Sequence, residues 1–300
     1  MNNKLIIYLG GGSMSGIFGA GLVTAFQDMD FYDKIEAIYG GSAGAINAAY
    51  FLSKQTKLGS SIYYEDLIKN FIFPLNVPLG IAQRFWNRYI RELQTKKILN
   101  AVDIDYAINL VKYKKQLNVE NIKKQNIKLY VKLLNVSNCE IEYLDAQKND
   151  ILMLLKAAIS ISPYYFNSQK INEKEYIDGT IKEPIGLSYI LRKHPNNKII
   201  VVINEPIIRG IKHYAKNFLE GLVARTIHKD LFQCFTNRES LVRKDIKEAI
   251  NNKRVLLISP SRDNPTIPKT TDYNKLIATY NMGKREAEKI KDFLKNKYFS

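Results

Sequence analysis

Ser42 stands in the spacing Gly40-x-Ser42-x-Gly44, which suits a nucleophile. A hydroxyl presented on a tight strand-to-helix bend needs glycines two residues before and after it, because side chains there would collide with the bend. Gly41 and Ala43 are small too, so the whole turn is unobstructed. A helix opening behind Ser42 would aim backbone N–H groups and a positive dipole end at the hydroxyl, where an oxyanion would be favoured. The chemistry this fits is attack on an ester carbonyl. A tight turn without chemistry has the same pattern, so the flanking elements must decide.

A serine needs a proton acceptor. The chain holds three histidines, His194, His213 and His228. His194 precedes Pro195 in a polar turn, and the other two lie near lysines and arginines, so each reads as a surface histidine. A Ser-His-Asp triad stays open, without a motif pointing to it. A carboxylate is the other acceptor. Asp178 follows the apolar pair Tyr176 and Ile177 and precedes Gly179. An acid at a strand end ahead of a glycine can point into a cleft while the backbone turns away, although a plain Asp-Gly turn looks the same.

A second glycine cluster, Gly10, Gly11, Gly12 and Gly16, follows the first strand. As a dinucleotide fingerprint it fails: Ser15 stands where a glycine or alanine is needed, and the second strand ends in Tyr39 and Gly40 rather than an acid. As a loop of side-chain-free N–H groups aimed at an ester oxygen it agrees with the bend at Ser42.

The elements that must hold these residues can be read from hydropathy. Leu5 to Leu9 is an unbroken apolar run, and Ile35 to Tyr39 is a second strand; each is followed by glycines and then a helix, over Ile17 to Gln27 and onward from Ala45. Repeated strand–loop–helix units mark a parallel α/β sheet. Ile127 to Val136, Ile141 to Leu144, Lys198 to Ile203 and Val255 to Ile258 read as strands. Ile151 to Ile159, Leu231 to Ile250 and Gly283 to Lys297 read as helices. The stretch 62–118 interrupts this rhythm as a helical insertion. Within it an apolar run from Phe71 to Ile81 is broken by Pro74 and Pro78. Phe85, Trp86, Tyr89, Ile90 and Leu93 follow, with Arg84, Arg88 and Arg91 interleaved. This segment reads either as a loop and helix on the core or as a lid with a membrane-contact surface. With no linker-like stretch, the 300 residues are expected to form one domain, with motifs in 4–190 and a helical extension over 228–300.

Composition narrows the function. A hydrophobic fraction of 46% and a charged fraction of 25% exclude a disordered chain and a disulfide-dense module. No apolar stretch is long enough to span a bilayer, and the first residues lack a signal-peptide core. Cys139 and Cys234 lie near no histidine cluster, so no metal site is expected and two buried thiols in a reducing compartment are. Forty-five basic against 29 acidic residues give a net charge of +16, which draws a protein to polyanions. The excess concentrates in Arg84–Lys132, with 12 bases and 4 acids, and in 253–300, with 11 bases and 5 acids. A solvated lysine-rich surface accounts for it equally well. No nucleic-acid motif accompanies the charge, so nucleic acid is not expected as a partner.

Taken in order, these features resemble the patatin-like phospholipases of the bacterial type with one patatin domain. The matches are Gly10-Gly11-Gly12 with Gly16, then Gly40-Gly41-Ser42-Ala43-Gly44, then Ala158-Ile159-Ser160-Ile161-Ser162-Pro163. Tyr176-Ile177-Asp178-Gly179 and Glu183-Pro184-Ile185 follow, with a similar rhythm from Arg225 to Lys289. The resemblance implies a three-layer αβα fold with a mainly parallel sheet. It implies a Ser42–Asp178 dyad without histidine, and an oxyanion hole from the backbone of Gly10, Gly11, Gly12 and Ser13 with Ala43. Gly40, Gly44 and Gly179 would shape the turns. The implied activity is hydrolysis of acyl esters of phospholipids or other lipids, of the phospholipase A or lysophospholipase type, without calcium or cofactor. The implied setting is cytoplasmic, with peripheral contact at an anionic membrane. Two positions depart from the family pattern: Ser15 replaces its usual Arg or Lys, which bears on substrate preference, and Thr180 replaces Gly or Ala after Asp-Gly. A catalytically weak membrane-binding protein and a Ser-Asp-His esterase of the α/β-hydrolase type are the alternatives.

Overall fold

A computed structural model of the chain describes residues 4–76, 78–80, 82–83, 99–207, 212–225 and 229–295. Among the described residues eight strands form one sheet: β1 Leu5–Leu9, β2 Ile35–Gly41, β3 Lys128–Asn135, β4 Glu140–Asp145, β5 Gln169–Ile171, β6 Lys174–Asp178, β7 Lys198–Val202 and β8 Val255–Ile258. The order is β5-β6-β3-β2-β1-β7-β8, with β4 also on β3. The run β3-β2-β1-β7-β8 is parallel, whereas β4 and β6 run antiparallel to β3 and β5 antiparallel to β6. The helices used below are α1 Ile17–Asp28, α2 Ala43–Leu52, α3 Ile151–Ile159, α4 Leu187–Lys193, α5 Lys212–Ala224, α6 Leu231–Asn251 and α7 Tyr273–Glu286.

The period-2 alternation of each strand fills two cores. Leu5, Ile7 and Leu9 of β1 and Ile200 and Val202 of β7 join one core with α1, α2, α3 and α7. Ile6, Tyr8, Ile199 and Val201 point the other way, onto Leu187 and Ile190 of α4 and Val242 and Ile246 of α6. Strands buried on both faces must be apolar without interruption, as these are. The result is the expected three-layer αβα architecture.

The register on β3 brings the site together. β4 pairs with Tyr130–Asn135 along one edge of β3. β2 pairs with residues 128–132 and β6 with 133–135, so both must lie on the opposite edge. Gly41 at the end of β2 faces Lys132, and Asp178 at the end of β6 faces Leu133. Two antiparallel strands thus meet end to end on one neighbour, a single β3 residue apart.

Within the insertion the described residues form short helices over Leu67–Asn70 and Ile104–Asn109, just after a helix over Thr56–Ser61, and Ile72 bridges to Val102. Arg84, Phe85, Trp86, Arg88, Tyr89, Ile90, Arg91 and Leu93 lie outside the described residues. The last helical stretch starts ten residues earlier than expected and is split into α7 and Lys289–Lys295. Among the described residues no helix is long and apolar enough to cross a membrane.

Candidate active site

Ser42 sits between β2 and α2 at φ 52°, ψ −132°, a left-handed conformation that costs a non-glycine residue energy. Its neighbours explain the glycines. A Cβ on Gly44 would lie 2.1 Å from the Leu9 carbonyl oxygen, and one on Gly40 would lie 2.6 Å from the Ala45 Cα. Both contacts are with backbone, which cannot give way. A Cβ on Gly11 would lie 2.6 Å from the Ser42 Cβ, so the glycine loop runs directly against the serine. Gly12 at φ 142° and Ser13 at φ 50° turn that loop back into the chain.

Asp178 is fully buried, and Ser42 is nearly so. One Asp178 oxygen, Oδ1, accepts the Thr180 N–H at 2.8 Å and the Thr180 hydroxyl at 2.7 Å. The other, Oδ2, is buried without a fully formed hydrogen bond. Ser42 is nonetheless close enough to act on the carboxyl as a hydrogen-bonding neighbour. Desolvation pushes the Asp178 carboxyl above the ordinary carboxylate range, against the lowering pull of Ser42, Thr180 and the Arg238 charge.

The glycine loop and the start of α2 offer four backbone N–H groups, those of Gly11, Gly12, Ser13 and Ala43. None of them donates to a protein acceptor among the described residues. Gly10 differs from expectation: its N–H donates to the Val202 carbonyl at 2.9 Å, continuing the β1–β7 ladder, so it has no proton left for a ligand. Gly179 has a packing reason, since a Cβ there would lie 2.7 Å from the Lys132 side chain.

Two residues of this site escaped the sequence reading. Asn204 follows β7 and is buried, with Nδ2 donating to the Gly10 carbonyl at 2.7 Å and the Gly11 carbonyl at 2.9 Å. Its Oδ1 accepts the Gly19 N–H at 2.9 Å. A trans peptide points its C=O and N–H in opposite directions. Holding those two carbonyls on one side therefore turns the N–H groups of Gly11 and Gly12 to the other. A lone asparagine after a strand carries no sequence signal for this. Lys132, counted above in the basic excess, is a correction: it is completely buried beneath the loop that follows Asp178. Its Nζ donates to the carbonyls of Glu183 at 2.9 Å and Ile185 at 2.5 Å, lies 3.4 Å from the Glu183 carboxylate and sits over the Tyr8 ring. Burial lowers its pKa while those partners oppose the shift. Its signal was a lysine inside an otherwise apolar strand.

His194 is a second correction. It is buried rather than on the surface, bonded to the Tyr39 hydroxyl at 2.9 Å and 3.5 Å from Glu36 near the start of β2. Asn197 nearby reaches Lys4 just before β1, which puts this histidine at the opposite end of the sheet from Ser42. His228 and the side chain of His213 lie outside the described residues. Cys139 and Cys234 are buried and not joined in a disulfide, the latter thiol pushed up to about 11, chiefly by burial. Among the described residues no cluster of three metal-ligating side chains occurs.

The parallel strands β1, β2 and β7 thus deliver the glycine loop, Ser42 and Asn204 to one end of the sheet, their carboxyl end, where open α/β sheets place ligands. Fold and site define the class: a three-layer α/β protein of the hydrolase kind, with a strained serine at a strand-to-helix bend beside a buried acid. The chain belongs to the patatin-like phospholipase family, whose model matches residues 7–191. Membership makes it an esterase- or lipase-type hydrolase acting on lipids. Among solved structures it is similar to VipD from Legionella pneumophila, with a TM-score of 0.53 and 13% identity over 97% of this chain and 67% of that one. It is also similar to the type III effector protein ExoU, with a TM-score of 0.42 and 11% identity over 97% of this chain and 53% of that one. A complex of ExoU with SpcU from Pseudomonas aeruginosa gives a TM-score of 0.34 and 14% identity. The chain spans about two thirds of VipD and about half of ExoU. No curated protein matches it.

Proposed function

We propose that the protein is a lipid acyl hydrolase of the phospholipase A or lysophospholipase type, working through Ser42 and Asp178 with no histidine between them. The observation that carries this reading is the shared edge of β3, which sets the end of β2 and the end of β6 one residue apart.

In this mechanism the Ser42 Oγ attacks the ester carbonyl carbon and its proton passes to Asp178 Oδ2, the oxygen that Thr180 leaves free. The carbonyl oxygen becomes an oxyanion and receives N–H groups from Gly11, Gly12, Ser13 and Ala43, with the α2 dipole behind them. The intermediate collapses, the C–O bond to the alcohol breaks, and Asp178 returns the proton to the leaving alkoxide. Water then attacks the acyl-serine, giving its proton to Asp178, and the fatty acid leaves as Ser42 is reprotonated. Burial suits the acid to this task, because a carboxylate of raised pKa is a stronger base. The two Thr180 donors favour the ionised form and so oppose the upward push of burial. Asn204 acts as a positioning residue for the glycine loop, and Lys132 for the loop beyond Asp178.

Fatty-acid release from phospholipid and from p-nitrophenyl esters tests the reading. Ser42→Ala and Asp178→Asn are expected to abolish both, while His194→Ala, His213→Ala and His228→Ala retain them. Full activity in the Asp178 variant removes the dyad. Loss in a histidine variant that remains folded favours the triad.

A further inference from the structure

Helix α5 is one the sequence reading did not mark, and it has two unlike faces. Gly221 and Ala224 are buried, with Gly221 against Phe232 and Phe235 of α6. Glu220 is buried and accepts the Tyr164 hydroxyl. The outer face is apolar. Tyr214, Phe218 and Leu222, four residues apart, are 43%, 48% and 43% exposed, and Leu219 beside them is 63% exposed. Residues four apart stack on one side of a helix, so these form a continuous stripe. Lys216 and Arg225 are exposed at its border.

Tyr164 ties this helix both to the insertion and to the active site. Its carbonyl accepts the Ala101 N–H at 2.8 Å, and the Ala101 carbonyl accepts the N–H of Phe73 at 2.8 Å. Phe73 and Leu75 are 38% and 80% exposed at that shoulder. Four residues before Tyr164, the Ser160 carbonyl accepts the Asp178 N–H at 3.1 Å. Two exposed apolar patches therefore flank the segment that packs against the strand bearing Asp178.

We infer that the outer face of α5, with the Phe73–Leu75 shoulder beside it, is the surface by which the protein docks on a phospholipid bilayer containing anionic lipid. A soluble protein rarely leaves so many neighbouring large apolar side chains in water without a use. An amphipathic helix lying in the interface buries such a face among the acyl chains while bordering cations meet the headgroups. The segment 212–225 itself carries three bases against one acid, which complements an anionic leaflet and not a neutral one. This inference rests on the lipid-hydrolase reading for the purpose of docking, while the docking itself can be measured without turnover.

The experiment is sedimentation with extruded vesicles, either of phosphatidylcholine alone or with about one-third phosphatidylglycerol. It compares the full chain with the double variant Leu219→Glu/Leu222→Glu, alongside hydrolysis of soluble p-nitrophenyl butyrate. The wild-type chain is expected to bind the mixed vesicles more strongly than the neutral ones. The double variant is expected to lose roughly tenfold or more of that binding, with soluble-ester hydrolysis unchanged. Leu219→Trp serves as the second variant, with emission blue-shifting on vesicles beyond the change from Trp86 in the wild type. Undiminished vesicle binding by the double variant overturns the inference. So does a Leu219→Trp emission that vesicles leave unmoved. Self-association in solution that the double variant abolishes, with no vesicle binding by wild type, assigns the face to a second copy and also overturns it. Vesicle binding without any ester hydrolysis would remove the enzymatic reading and leave this one standing.

Discussion

Asn204 offers the sharpest test of how the glycine loop is held. In Asn204→Ala three hydrogen bonds vanish at once, those to the Gly10 and Gly11 carbonyls and that from the Gly19 N–H, two of them fully buried. At a net of about 1 kcal/mol each, the loss is about 3 kcal/mol of stability. For a chain of this length that lowers Tm by roughly 5 °C. The catalytic effect has a separate origin. Once the two carbonyls are free, the peptide units of Gly11 and Gly12 no longer keep their N–H groups turned toward the Ser42 side. One oxyanion donor is worth ~10²–10³ in kcat, so kcat should fall by about two orders of magnitude with KM nearly unchanged. Asn204→Asp separates the two effects. It keeps an acceptor for Gly19 but sets a carboxylate oxygen against the two carbonyls, and kcat should fall as far as in the alanine variant. Steady-state kinetics on a soluble ester below both variants' melting range measures this. Affinity for a trifluoromethyl ketone, whose hemiketal oxygen mimics the oxyanion, should fall in parallel. A lowered Tm with kcat and inhibitor affinity intact would make Asn204 a packing residue only and refute the argument.

Other outcomes follow from the same geometry. Thr180→Val removes the hydroxyl that donates to Asp178 Oδ1, which raises the carboxyl pKa further, so the acid limb of the kcat/KM profile should move to higher pH while the activity above it is kept. Because burial raises the Asp178 pKa above its ordinary 3.8, the ionised side chain destabilises the fold at neutral pH; Asp178→Asn should raise Tm at pH 7, and the gain should shrink as pH falls through the folded pKa toward 3.8. Gly44→Ala drives a Cβ to 2.1 Å from the Leu9 carbonyl, which should cost roughly 3 kcal/mol or more in chemical denaturation and take activity with it.

The sequence made some of this legible and not the rest, for physical reasons. Strands in the middle of the sheet are largely apolar runs, so β1, β3, β7 and β8 fall within a residue or two of where hydropathy sets them. The bend at Ser42 is legible because a left-handed serine imposes small residues on both sides, and composition records that demand. β5 is three residues long and α5 presents its apolar side to the outside, so neither leaves a periodic pattern that points to a core. Asn204 and Lys132 act through contacts spanning 185 to 194 residues for the first and 51 to 53 for the second. Distances of that kind follow from strand order, which no local window contains. The same holds for His194, whose polar neighbours in sequence hide its burial between Tyr39 and Glu36. Gly10 opens the glycine loop, yet its N–H is used up because the β1–β7 ladder extends one residue past the strand.

In the proposed mechanism a carboxylate takes the proton of Ser42 directly. Mass-spectrometric mapping of the adduct left by a fluorophosphonate on wild type, Asp178→Asn and His194→Ala tests it most directly. Modification is expected on Ser42 in wild type and in His194→Ala at equal rates, and nearly none in Asp178→Asn. Labelling of Ser42 at the wild-type rate in folded Asp178→Asn, or labelling of a different serine, would contradict it.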